Sequence, residues 1–166
     1  MTLQHSHEST DFVKKTFPIV VVCDGLESPA NVGALFRLCD ALGIQEIIFC
    51  NASFNIHSNR LKRTSRNTHT EVRYSFGADI LSELENLQKK EYQLIALEIT
   101  KCSIPIDALS EKNKKIALII GNEQNGVSEA ALKFTKIHTH IEMFGANSSM
   151  NVIQATAIAL HSLTKL

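Results

Sequence analysis

A chain of 166 residues is long enough to bury one sizeable core without disulfides or a structural metal. Basic and acidic side chains balance at 17 each, so any polyanion must be gripped by a local patch rather than by overall charge. Hydrophobic residues make up 44%, ordinary for a globular protein, and no run approaches the ~18 apolar residues of a membrane span.

Residues 1–16 form a polar segment without the apolar stretch of a secretory signal, and the expected location is cytoplasmic. From Phe17 the pattern is that of one domain reaching residue 166. Short apolar runs at Phe17–Cys23, Glu46–Cys50, Tyr92–Leu97 and Lys115–Ile120 read as buried strands, with weaker strands at Glu71–Tyr74 and Lys136–Ile141. Continuous apolar runs of this length suit a parallel sheet covered on both faces.

Amphipathic helices fill the gaps. The first spans Asn31–Leu42, with Asn31 as its cap, Val32, Leu35, Phe36, Cys39 and Leu42 on one face, and Gly43 as its terminator. A second covers Ile80–Lys90, and Ser128 caps a third with Glu129 near its positive end. The last, about Asn151–Thr164, is apolar on nearly every side and is expected to be buried all round, in the core or between subunits. This alternation predicts an α/β domain, a mostly parallel sheet with helices on both faces. Cys23, Cys39, Cys50 and Cys102 form no CxxC pair, and three lie inside apolar runs, as expected of reduced buried thiols.

Three segments carry residues suited to chemistry. The first, Ser28–Arg37, follows the first strand, where ligands of open α/β sheets bind. Arg37 lies about 140° around the helix from Val32, off the apolar stripe, and Gly33 lets another backbone or a ligand come close. The second, Gly121–Ser128, directly follows a strand and holds Glu123 at the mouth of the sheet. It is neither a dinucleotide loop nor a P-loop. The third, Ile141–Asn151, runs small polar residues into the final helix, which Ser149 or Asn151 would cap. The seven histidines show no metal-ligand spacing stronger than His138-x-His140, a strand detail, so no metal is expected. A basic patch of Arg60, Lys62, Arg63 and Arg66, with Arg73 nearby, is the best candidate for gripping a polyanion.

In this order and spacing the three segments resemble the SpoU (TrmH-like) branch of the SPOUT methyltransferases. The matching positions are Asn31, Gly33 and Arg37; then Gly121, Glu123 and Gly126; then Ile141, Met143 and Gly145 with Ser149, Met150 and Asn151. Two positions depart from the family pattern: Glu142 stands where proline is usual, and Ile153 where serine is frequent. The resemblance covers about Phe17 to Leu163. It implies a deep C-terminal trefoil knot, a homodimer, and an S-adenosylmethionine-dependent 2′-O-methyltransferase acting on RNA, tRNA in the first place. It implies catalytic roles for Arg37, Asn31, Glu123, Ser149 and Asn151, and a cofactor pocket of Leu97, Gly121, Ile141, Met143, Ser149 and Met150. The alternatives are the same chemistry on rRNA and a catalytically silent RNA-binding or assembly factor on the same fold.

Overall fold

A computed structural model describes residues 13–110 and 115–165; of the expected polar segment, residues 1–12 lie outside the described residues. The strands are β1 (Phe17–Asp24), β2 (Ile44–Cys50), β3 (Tyr74–Phe76), β4 (Gln93–Leu97), β5 (Ile104–Pro105), β6 (Ile116–Ile120) and β7 (Ile137–His140). They form one sheet in the order β3-β2-β1-β6-β4-β7-β5, with every neighbouring pair parallel.

Both faces of the sheet are covered, and this explains the unbroken apolar runs. In β1, Ile19, Val21 and Cys23 enter one core while Val20 and Val22 enter the other; in β6, Ile116, Leu118 and Ile120 oppose Ala117 and Ile119 in the same way. Alternation places successive side chains on opposite faces, so a strand buried on both sides must be apolar throughout. Helices α1 (Pro29–Leu42), α2 (Asn59–Ser65) and α5 (Val152–Leu163) pack on the first face. On the second lie α3 (Ile80–Lys89) and α4 (Glu129–Phe134).

Several boundaries correct the expectation. Helix α1 is capped by Ser28, whose side chain accepts from the Asn31 amide, with Pro29 opening the first turn; Asn31 is not the cap. A Ser-Pro pair is itself a start signal, because proline's fixed φ suits the first helical position. This frees the Asn31 side chain for other partners. Gly43 ends α1 in the left-handed region, with φ of 63°. Helix α2 was not expected: it is short, and only Leu61 and Ser65 on it are buried. Strand β3 begins where Glu71–Tyr74 was expected to end. Of the four thiols, Cys102 is exposed. Burial pushes the other three up, Cys50 to about 12, so they pack as neutral groups.

Helix α5 also departs from the expectation of burial all round. Ile153, Thr156, Ala159, Leu160 and Leu163 are buried, but Ile158 is 43% exposed on the opposite side, where Gln154 and His161 also meet solvent.

The connections define the functional edge. Strand β1 leaves over the first face through α1 to β2, whereas its neighbour β6 leaves over the second face through α4 toward β7. Divergent connections from adjacent parallel strands open a crevice at their carboxyl ends, where ligands of such sheets bind.

Gly33 fastens α1 to α2. A Cβ there would lie 2.0 Å from Thr64 Oγ1 and 2.5 Å from the Leu61 carbonyl oxygen. The close approach inferred from this glycine is therefore made by backbone. Gly33→Ala is expected to lower stability by about 1–3 kcal/mol through overpacking, and urea denaturation monitored by circular dichroism will measure it.

Candidate active site

The loop after β6 is built by glycines. Asn122 and Gly126 exchange two backbone hydrogen bonds, each 3.0 Å long, folding the loop back on its own start. Gly121 lies under that fold: a Cβ on it would meet the Gly126 carbonyl carbon at 2.0 Å. Gly126 has φ of +67° and faces Glu98, so it is constrained both by backbone conformation and by space. The loop ends at Ser128, which caps α4 by accepting from the Ala131 amide.

Glu123 projects from this loop to the N-terminus of α1. Its Oε1 accepts from the Ser28 amide and from Asn31 Nδ2, each at 3.0 Å, and Oε2 accepts from the Glu27 amide at 3.4 Å. Because the Asn31 NH2 is given to a carboxylate, its Oδ1 is left to accept, and Asn151 Nδ2 donates to it at 3.2 Å. Asn151 Oδ1 meanwhile caps α5 by accepting from the Ile153 amide at 2.8 Å. Three of the predicted catalytic residues are thus one hydrogen-bonded chain, Glu123–Asn31–Asn151, joining the ends of β1 and β6 to the start of α5.

Beside this chain lies a cavity of about 460 Å³ at the carboxyl ends of β4, β6 and β7. Leu97, Gly121, Ile141, Met143, Ser149 and Met150 all line it, as does Glu123. Sequence reasoning did not select Glu98 and His140, which line the same cavity. Glu98 had a legible signal, a charged residue immediately after an apolar strand. His140 lay in the His-x-His pair set aside as a strand detail. That reading suits His138, whose Nε2 donates to the Leu132 and Thr135 carbonyls and closes the turn before β7.

Arg37 is not part of this constellation. It is exposed and lies with Arg63 and Arg66 around a shallow depression between α1 and α2. Arg60 and Lys62, also exposed, lie outside that depression. The basic patch therefore divides, and the half closest to α1 shares its surface with Arg37.

The sequence matches the profile of the SpoU rRNA Methylase family over residues 18–161. The chain belongs to that family. A tRNA (guanosine(18)-2′-O)-methyltransferase of Saccharomyces cerevisiae is 29% identical over 159 residues, covering 95% of this chain and 11% of that protein. The structure of an AdoMet-bound rRNA methyltransferase from Sinorhizobium meliloti matches with a TM-score of 0.81 at 21% identity, covering 93% of this chain and 58% of that one. A structure described as giving insight into 2-OH methylation of C/U34 on tRNA matches at 0.79 and 21% identity, covering 98% of both chains. These likenesses bear out the α/β fold with its parallel sheet. The chain spans about half the length of the mycobacterial relatives it matches.

The electrostatics of Glu123 are testable. Burial opposes its charge, but the Asn31 side chain and the backbone amides outweigh that and hold its carboxyl below the ordinary 4.5. A depressed carboxyl pKa contributes stability that is present above 4.5 and is lost as pH falls through the folded value. Glu123→Gln should therefore be less stable than wild type at neutral pH, with the difference shrinking as pH falls below 4.5 and the carboxyl takes up a proton. Denaturant midpoints measured across that range will show the convergence.

Proposed function

We propose that this protein transfers a methyl group from S-adenosylmethionine to a ribose 2′-hydroxyl of RNA, with tRNA as the substrate class. The observation that carries the reading is the convergence of all six expected cofactor positions on one cavity, beside the Glu123–Asn31–Asn151 chain. The cavity fits such a ligand. Its volume of about 460 Å³ falls within the range of small-molecule sites. Leu97, Ile141 and Met150 offer apolar surface to a base, and the glycine loop brings backbone polar groups to its wall. When bound, the cofactor supplies a sulfonium-activated methyl group. The family membership and the yeast relative's activity support the ribose oxygen and tRNA as acceptor.

The chain's own residues do the rest. Glu123 and Asn31 keep the α1 N-terminus and the glycine loop at fixed separation, which holds the cavity in one shape before ligand arrives. A guanidinium is a poor base, so the role of Arg37 is electrostatic: it orients the hydroxyl and an adjacent phosphate and stabilises negative charge developing on the oxygen. Arg37 lies outside the cavity of its own chain, so a second surface has to close the site. We therefore include a homodimer in the proposal, supported by the outward Ile158 on α5. The C-terminal knot, residues 17–166 as one methyltransferase domain, and a cytoplasmic location belong to the same reading.

The family description names rRNA, which favours rRNA as the second reading. Incubating purified protein with labelled S-adenosylmethionine and either unmodified tRNA or ribosomal RNA separates the two. Label in a 2′-O-methylnucleoside from tRNA alone is expected; label only in ribosomal RNA would replace the substrate, and none in either would favour a catalytically silent RNA-binding factor. In that assay Arg37→Ala should retain cofactor binding and lose at least ~100-fold in rate, the scale of one transition-state donor. Replacing Arg63 and Arg66 by alanine should weaken RNA binding and lower its salt slope by about 0.7 per lost single-strand phosphate contact. Replacing Arg60 and Lys62 should do less.

A further inference from the structure

Glu98 is built into the cavity wall with unusual care. Its Oε1 accepts from the Ile99 amide and its Oε2 from the Val127 amide, each at 3.0 Å. A Cβ on Gly126 would lie 2.3 Å from Oε2, so the carboxylate occupies space that only a glycine leaves open. Bracing alone does not require a charge, since any neutral acceptor would hold the Val127 amide.

The charge has no cationic partner among the described residues. Among the described residues the ion pairs are Arg73–Glu46 and Lys133–Glu129, and neither involves Glu98 or Glu123. The described residues lining the cavity include these two carboxylates and no lysine or arginine. Glu123 is turned to the α1 N-terminus and spends its oxygens there. Glu98 also gives its oxygens to backbone amides, but those amides belong to the cavity wall, so it stays a half-buried negative charge on a cavity whose described lining holds His140 and no lysine or arginine. Partly desolvated charge without a partner is costly and favours a ligand that supplies the opposite sign.

We infer that Glu98 makes the cavity prefer the cationic methyl donor over its neutral thioether product. The inference rests on the cofactor reading above. S-adenosylmethionine carries one more positive charge than S-adenosylhomocysteine, and the two are otherwise nearly the same shape. A fixed carboxylate therefore discriminates between them by charge, loading the donor and loosening the product once the methyl group has left. Glu98 is a specificity residue in this account and takes no part in moving the proton or the methyl group.

Calorimetry on the full chain tests this with three ligands: S-adenosylmethionine, S-adenosylhomocysteine and sinefungin, whose amine keeps a positive charge in place of the sulfonium. Wild type should bind both cations more tightly than the thioether, with a preference that shrinks as salt rises. Glu98→Gln should cut affinity for both cations by roughly tenfold, the order expected of one charge acting across a partly buried site, and leave the thioether unchanged or tighter. Glu98→Asp, which keeps the charge, should retain most of the preference, with thermal melts checking that both variants fold. Equal weakening of all three ligands in Glu98→Gln would make Glu98 a brace or a partner of the ammonium that all three share, and unchanged affinities would make it a bystander; either result overturns the inference. If wild type binds none of the three, the cofactor reading itself falls, and the inference with it.

Discussion

The loop from Gly121 to Val127 is held in place by carboxylates, and the rest of the site depends on that restraint. Glu123 reaches from the loop to the amides that open α1. Glu98, at the end of β4, takes the Val127 amide. Asp24, at the end of β1 and only 5% exposed, takes the Ser128 amide at 2.9 Å and the Asn51 side-chain amide at 3.1 Å. Each acceptor satisfies a backbone donor that helix and sheet leave unpaired; for the part-buried Val127 and Ser128 amides, leaving such a donor unmade costs about 1–3 kcal/mol. An irregular segment at the crevice between β1 and β6 thereby gains the fixed geometry of a secondary-structure element.

That restraint connects parts of the chain distant in sequence. Asn122 donates its side-chain amide to the Gly25 carbonyl at 2.7 Å, tying the loop to the residue just past β1. Asn31 passes the connection from Glu123 to Asn151, and Asn151 sets the first turn of α5. The cavity wall, the start of α1 and the start of α5 are consequently one polar network rather than three neighbouring loops. Ser149 and Met150 reach the cavity because Asn151 fixes where the preceding segment must end. The arginines of α1 and α2 stand outside this network, on a surface anchored instead by the close contact at Gly33.

Much of this was legible in the sequence because physics leaves few alternatives. A strand buried on both faces must be apolar throughout, and β1 and β6 were readable for that reason. Ser128 with Glu129 is a helix start that local chemistry determines. The family resemblance implied the six cavity residues, though only the fold brings β4, β6 and the segment after β7 together. What escaped has equally physical causes. Helix α2 turns one small face inward around Leu61 and carries no apolar stripe. Asn31 reads as a cap when taken alone, whereas the cap is Ser28, three positions earlier, with Pro29 opening the first turn. Helix α5 looked buried all round because composition does not distinguish a core face from an apolar face that meets solvent. Glu98 carried a signal that went unused, since a single carboxylate after a strand has meaning only once Gly126 is known to lie against it.

On the proposed function, the carboxylate-braced loop presents a preformed cavity for S-adenosylmethionine. A crystal structure of the protein with that ligand tests it most directly. Density for the ligand is expected among Leu97, Gly121, Ile141 and Met150, with the Glu98–Val127 and Glu123–Ser28 hydrogen bonds intact and the loop backbone unmoved. Ligand bound elsewhere, or bound here only after those hydrogen bonds break and the loop refolds, would contradict it.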